Sequence, residues 1–201
     1  MYHKLPGDTA QENYVGSQIY LARERRVLHL RGVIEDNNSV NGPQGVADCI
    51  LAMSAENPDA PIWLFVDSPG GNIDTGFILV DTMRAVPAPI YTIGQFAASM
   101  GAIVLSAGDQ RYVLPNSRTM LHLPSGRMQG NNDEVETQKR ELDKMRDKLA
   151  DSLIEDGVQR NREEIIADIK GERWMSAQEA VDYGLADAIL GSEDYRLMLA
   201  A

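Results

Sequence analysis

Apolar residues along this chain switch repeatedly between two periods. Val27-Leu28-His29-Leu30 and Val33-Ile34, on either side of Gly32, read as strand. Val46, Ala47, Ile50, Leu51 and Met53 recur at helical spacing until Asn57-Pro58 stops that helix. Ile62-Trp63-Leu64-Phe65-Val66 is an unbroken apolar run, the pattern of a strand covered on both faces in a parallel sheet. Phe77, Leu79, Val80 and Met83 predict the next helix and Ile90-Tyr91-Thr92-Ile93 the next strand, with a short helix from Ser99 to Ala107 after it. Tyr112-Val113-Leu114 and Thr119-Met120-Leu121 predict two more strands. Strand and helix alternate, so the pattern predicts an α/β fold.

Beyond these strands the rhythm breaks. From Asn131 to Asp156 the chain has no Gly or Pro, is dense in charge, and stops at Gly157. Its apolar residues Val135, Leu142, Met145, Leu149 and Leu153 form a narrow stripe on a helix ~39 Å long at 1.5 Å per residue. Such a helix either lies on the sheet or projects so that its stripe meets a partner subunit; a narrow seam with charged flanks favours projection. Ser176-Ala177-Gln178-Glu179 is a capping box that starts a helix ending near Gly184. The first fifteen or so residues are polar and aperiodic, which predicts a mobile arm. The expected organisation is an arm over 1–18 and one domain over 19–201, with the charged helix at about 131–156 inside it.

Composition narrows the function. At 201 residues, 43% hydrophobic and 24% charged, the chain can build a core of ordinary size. A net charge of −11 makes phosphate backbones and anionic lipid poor partners, so neither nucleic acid nor membrane is expected. One cysteine, Cys49, excludes a disulfide framework and any thiolate-rich metal site; three scattered histidines make a histidine-based zinc site improbable. No apolar run reaches the ~18 residues of a membrane span, and the N-terminal residues carry no signal-peptide pattern. The cytoplasm is the expected location.

Two small-residue motifs stand where strands end. Ser68-Pro69-Gly70-Gly71 follows the buried strand, and adjacent glycines leave backbone N–H groups bare enough to approach a ligand or a developing oxyanion. Ala97-Ala98-Ser99-Met100-Gly101 places a serine at a helix start, with the next N–H able to serve as an oxyanion donor. Each has an ordinary alternative, a Pro-Gly turn for the first and an N-cap serine for the second. A serine nucleophile needs a base. His3 lies in the arm and His29 sits in mid-strand, whereas His122 follows Thr119-Met120-Leu121 at a strand end. The carboxylate that orients an imidazole is then Glu172 or Asp168, both just ahead of Trp174-Met175-Ser176.

These blocks resemble the proteolytic subunit of the Clp protease. Ser68-Pro69-Gly70-Gly71, Ala97-Ala98-Ser99-Met100-Gly101, Leu114-Pro115-Asn116-Ser117-Arg118 with Met120-Leu121-His122, and Ser176-Ala177-Gln178-Glu179-Ala180 with Tyr183-Gly184-Leu185 occur in that family's order, over roughly Ile19 to Leu190. The resemblance implies a crotonase-like, ClpP-type α/β fold with a projecting handle helix, here Asn131 to Asp156. It implies a homo-oligomer of two stacked heptameric rings enclosing a chamber, fed unfolded polypeptide by a AAA+ Clp unfoldase. It also implies Ser99 as nucleophile, His122 as base, Glu172 as third member, and Gly71 and Met100 as oxyanion donors. Gly70, Ile73, Leu123 and Ser125 are expected along the peptide groove, and no metal or cofactor of its own is expected.

Several positions depart from the family. Glu172 stands where it has Asp, Leu123 where it usually has Gln, Gly94 lies one place further from Ser99, and Asp109-Gln110-Arg111 is shorter than usual. They suggest a divergent paralogue. The expected activity is serine endopeptidase of low selectivity; the alternative is a noncatalytic ring subunit assembled with an active paralogue. A crotonase-type acyl-CoA enzyme fits the order of serine and histidine poorly. A Ser-Lys peptidase is disfavoured because no lysine lies between Lys4 and Lys139.

Overall fold

The unbroken apolar run is a central strand because both of its faces are covered. The computed structural model describes residues 10–36, 39–193 and 195–196. Helix α1 (Ala10–Arg25) leads into β1 (Val27–Arg31), α2 (Pro43–Glu56), β2 (Ile62–Ser68), α3 (Ile73–Ala85), β3 (Ile90–Ala98), α4 (Met100–Ser106) and β4 (Gln110–Leu121). Then come α5 (Asn132–Glu155), α6 (Arg162–Asp168), β5 (Arg173–Ser176), α7 (Ala177–Tyr183) and β6 (Ala188–Ile189). The sheet order is β1-β2-β3-β4-β5, with β6 also paired to β4. The first four strands are parallel, and β5 runs antiparallel to β4. On β2, Ile62, Leu64 and Val66 join the main core, while Phe65 on the opposite face joins a second cluster with Val27, Ile93 and Leu190. The protein has the mixed α/β, ClpP-type fold that the alternating pattern and the four motif blocks led one to expect.

Four details differ from the sequence reading. Helix α1 begins at Ala10, inside the stretch expected to be an arm; its residues have no apolar face, so periodicity could not reveal it. Residues 1–9 of that arm, including His3, lie outside the described residues. The two strands expected around Pro115 are one, β4, whose register against β3 shifts between Gly94 and Phe96. Val33-Ile34 contributes only a bridge from Ile34 to Gly71, because Gly32 at φ 80 turns the chain out of the strand. Helix α6 and strands β5 and β6 are too short to show a period and exist through their neighbours.

Helix α5 stands off the core over most of its length. Asn131 and Glu134 close its capping box, and no residue from Asn132 to Lys148 is buried. Its base is anchored by buried Leu149, Ala150, Ser152 and Leu153. Arg84 donates to Ser152 Oγ at 3.1 Å and pairs with Asp156 at 2.6 Å, and Ser106 Oγ donates to the other Asp156 oxygen at 2.7 Å. Among the described residues, no helix is long and apolar enough to cross a membrane.

Candidate active site

Strand β3 ends in a sharp turn that presents Ser99. This residue has φ 54 and ψ −125, a region an L side chain rarely enters, between the last strand residue and the first residue of α4. Ser99 N donates to Met120 O at 2.7 Å, and Ala102 N donates to Ser99 O at 3.0 Å. Gly70 presses on the same turn: a Cβ there would lie 2.7 Å from Ser99 Cβ. The strained serine is therefore held from β4, from its own helix and from the loop after β2.

The bond from Ser99 N to Met120 O also brings the end of β4 beside the serine. His122 is the next-but-one residue, and its Nε2 lies 2.8 Å from Ser99 Oγ. Leu123 N donates to Ile169 O at 3.0 Å, which fixes the chain just past the imidazole. Hydroxyl and ring are thus positioned by two adjacent parallel strands at their carboxyl ends, where open α/β sheets carry ligands.

The loop Ser68-Pro69-Gly70-Gly71 forms the facing wall. Ser68 Oγ donates to Gly32 O at 2.6 Å and accepts from Gly70 N at 3.1 Å. Ile34 N donates to Gly70 O at 2.8 Å and Asn72 N to Ile34 O at 2.7 Å. Those two bonds straddle Gly71, whose own amide is consequently turned to the side away from Ile34. Gly71 has φ 151, and a Cβ there would sit 2.1 Å from Ile34 O, so no other residue fits without displacing the bridge. Among the described residues, the amides of Gly71 and Met100 donate to none of the turn and loop carbonyls. Both residues line a cavity of about 70 Å³ together with Ser99 and His122. Its remaining wall is mostly apolar: Ile73, Ile103, Leu121, Leu149, Leu153 and Ile169.

The acidic candidates face elsewhere. Glu172 Oε2 accepts from Trp174 Nε1 at 2.9 Å. Asp168 lies 3.2 Å from Arg160 Nη1 and 3.5 Å from Arg173 Nη1. Neither carboxylate makes a hydrogen bond to His122 among those described; the imidazole is bonded to Ser99. The expected groove residues divide: Ile73 lines the cavity, exposed Ser125 sits on its rim, Gly70 is buried under the serine turn, and Leu123 packs on the main core. Sequence reasoning missed Ile103, Leu149, Leu153 and Ile169 as cavity walls. Leu149 and Leu153 were visible as the end of the α5 stripe, but nothing in their spacing said what they face. His29 is far from this chemistry by contact. Its ring stacks on Phe65 at 5.0 Å, and burial, with Arg31 nearby, pushes its pKa down to about 4.

A hydroxyl bonded to an imidazole beside unengaged amides, at the ends of parallel strands, is the arrangement of a serine hydrolase on a mixed α/β fold. A family model described as Clp protease matches residues 11–193, and the chain belongs to the Clp protease family. In general that family comprises serine peptidases.

Proposed function

We propose that this chain is a serine endopeptidase subunit working inside an oligomeric chamber, with Ser99 as nucleophile and His122 as general base. The observation that carries the reading is the 2.8 Å hydrogen bond between Ser99 Oγ and His122 Nε2. Ser99 Oγ attacks the peptide carbonyl while its proton passes to Nε2, and the oxyanion takes the amides of Gly71 and Met100. Collapse of the intermediate breaks the C–N bond, and the departing amine takes the proton from His122. Water then attacks the acyl-enzyme with His122 again as base, freeing the acid and regenerating Ser99. Peptide adds as a strand along Gly70-Gly71 and the chain beyond His122, held by main-chain hydrogen bonds common to all sequences. Such binding suits unfolded polypeptide delivered by a AAA+ Clp unfoldase into two stacked heptameric rings. The reading assigns ATP use to that partner and, from the lone thiol, a reducing compartment such as the cytoplasm.

Replacing Ser99 with Ala is expected to lower kcat by roughly 10⁶-fold and to abolish labelling by a fluorophosphonate. Labelling of S99A equal to that of the wild type rules Ser99 out. A second reading, a weakly active or noncatalytic ring subunit that assembles with an active paralogue, is favoured by Glu172 being engaged with Trp174. Peptide cleavage by the pure protein, assayed alone, separates the two.

A further inference from the structure

Glu172 stands one residue before the strand that pairs with the end of β4, the strand His122 follows. Leu121 opposes Arg173, Met120 opposes Trp174, and Arg118 opposes Ser176 in the antiparallel ladder of β4 and β5. Opposed residues share a face, with Cβ atoms about 4.5–5.5 Å apart. Continued by one step, this register would set His122 opposite Glu172, on the face that carries Met120 and Trp174. The carboxylate instead turns back along its own strand, where the residue two places on is its neighbour on the same face.

Trp174 is well held in the position that captures it. Its ring stacks on Phe96 with centroids 6.3 Å apart and planes 23° from parallel, and the Arg118 guanidinium carbon lies 4.3 Å from the ring centroid. Its Nε1–H then donates to Glu172 Oε2 at 2.9 Å. Glu172 is exposed, so a rotamer change suffices to release it. Asp168 offers no substitute, being paired with Arg160 and Arg173. An indole donor pre-placed by stacking thus occupies the carboxylate, and no hydrogen bond joins it to His122 among those described.

We propose that Trp174 is a positioning residue that holds Glu172 off His122, leaving Ser99 and His122 as a dyad whose third member engages only when the indole bond opens. The inference rests on the peptidase reading above and adds to it what sets the rate. Trp174→Phe keeps the stacked ring and removes the donor; Trp174→Leu removes the donor with an aliphatic side chain and guards against a folding defect in one variant. Between a dyad and an oriented triad the difference in kcat reaches ~10⁴, so the donor-less variants are expected to gain about tenfold or more in kcat on a short fluorogenic peptide, with KM unchanged. A carboxylate at Nδ1 favours the imidazolium, so the acid limb of the kcat profile moves to higher pH. The gain is lost in W174F/E172Q compared with E172Q alone.

Equal or lower kcat in both folded variants, with an unmoved acid limb, overturns the proposal. Fluorophosphonate labelling distinguishes the two levels of failure. Wild-type protein that labels at Ser99 while W174F and W174L gain nothing sinks the positioning role alone. Absence of labelling and cleavage in all three proteins sinks the peptidase reading and the positioning role with it.

Discussion

Ser99 occupies a backbone conformation that costs an L residue of order 1–3 kcal/mol, and its supports come from three directions: Met120 O on β4, Gly70 beneath, and the first turn of α4. That convergence is why the hydroxyl is exposed toward His122 instead of capping the helix; it makes no capping bond to α4. His29 shows the opposite treatment of a titratable group. Stacked on Phe65 and beside Arg31, it resists protonation, with a pKa of about 4 against an ordinary 6.5. Between those values the unfolded chain takes up a proton that the folded chain refuses, so stability is full above pH 6.5 and is lost as pH falls toward 4. His29→Phe should flatten this part of the profile, read as a smaller drop in the urea midpoint between pH 7 and pH 4.5 than in wild type. Carboxylates titrate in both proteins, so the difference between them is the measurement, and identical slopes refute the assignment. Both residues were legible as types at positions. What the linear pattern lacked was the side-chain direction of Glu172, set by an indole two residues away.

At the scale of elements, β4 and α5 build the site between them. Strand β4 carries His122 at its end and, through its shifted register against β3, brings Met120 O onto the Ser99 amide. Helix α5 has two parts: a projecting part without buried residues, and a base whose Leu149 and Leu153 are both core and cavity wall. Leu153→Ala is expected to cost ~2–5 kcal/mol of stability, as for a buried leucine in a packed site. Leu142→Ala, in the half-buried projecting part, should cost the isolated subunit much less. Urea denaturation of both variants checks this, and equal losses contradict the division of the helix. The helix itself was readable from its stripe, its freedom from Gly and Pro, and its stop at Gly157. The lining role of its base was not, because facing the cavity depends on where α4 and β4 lie.

For the whole molecule, the projecting part of α5 leaves Val135, Leu142 and Met145 half-covered along a charged rod. That is a poor end state for a lone chain and a good one for a seam between subunits. The double ring proposed above predicts a particle near fourteen times 22.2 kDa in light scattering of the purified protein; a monomer under all conditions contradicts that proposal. Arg111 ties the C-terminal region to the sheet, donating to Asp156 O and Gly184 O and pairing with Asp187, so one side chain links the base of α5, the end of α7 and the start of β6.

Local chemistry along the chain determined the alternation of strands and helices, the doubly covered β2, the long charged helix and the serine, histidine and glycine motifs, because period, caps and small-residue turns act over a few residues. Tertiary structure decided the rest. Only packing could set the merger of two strands into β4, the formation of β5 against it, the helical start at Ala10, the cavity walls supplied by α4, α5 and Ile169 just after α6, and the partner taken by Glu172. Each of these depends on groups far apart in sequence or on competition among neighbours, which linear spacing does not encode.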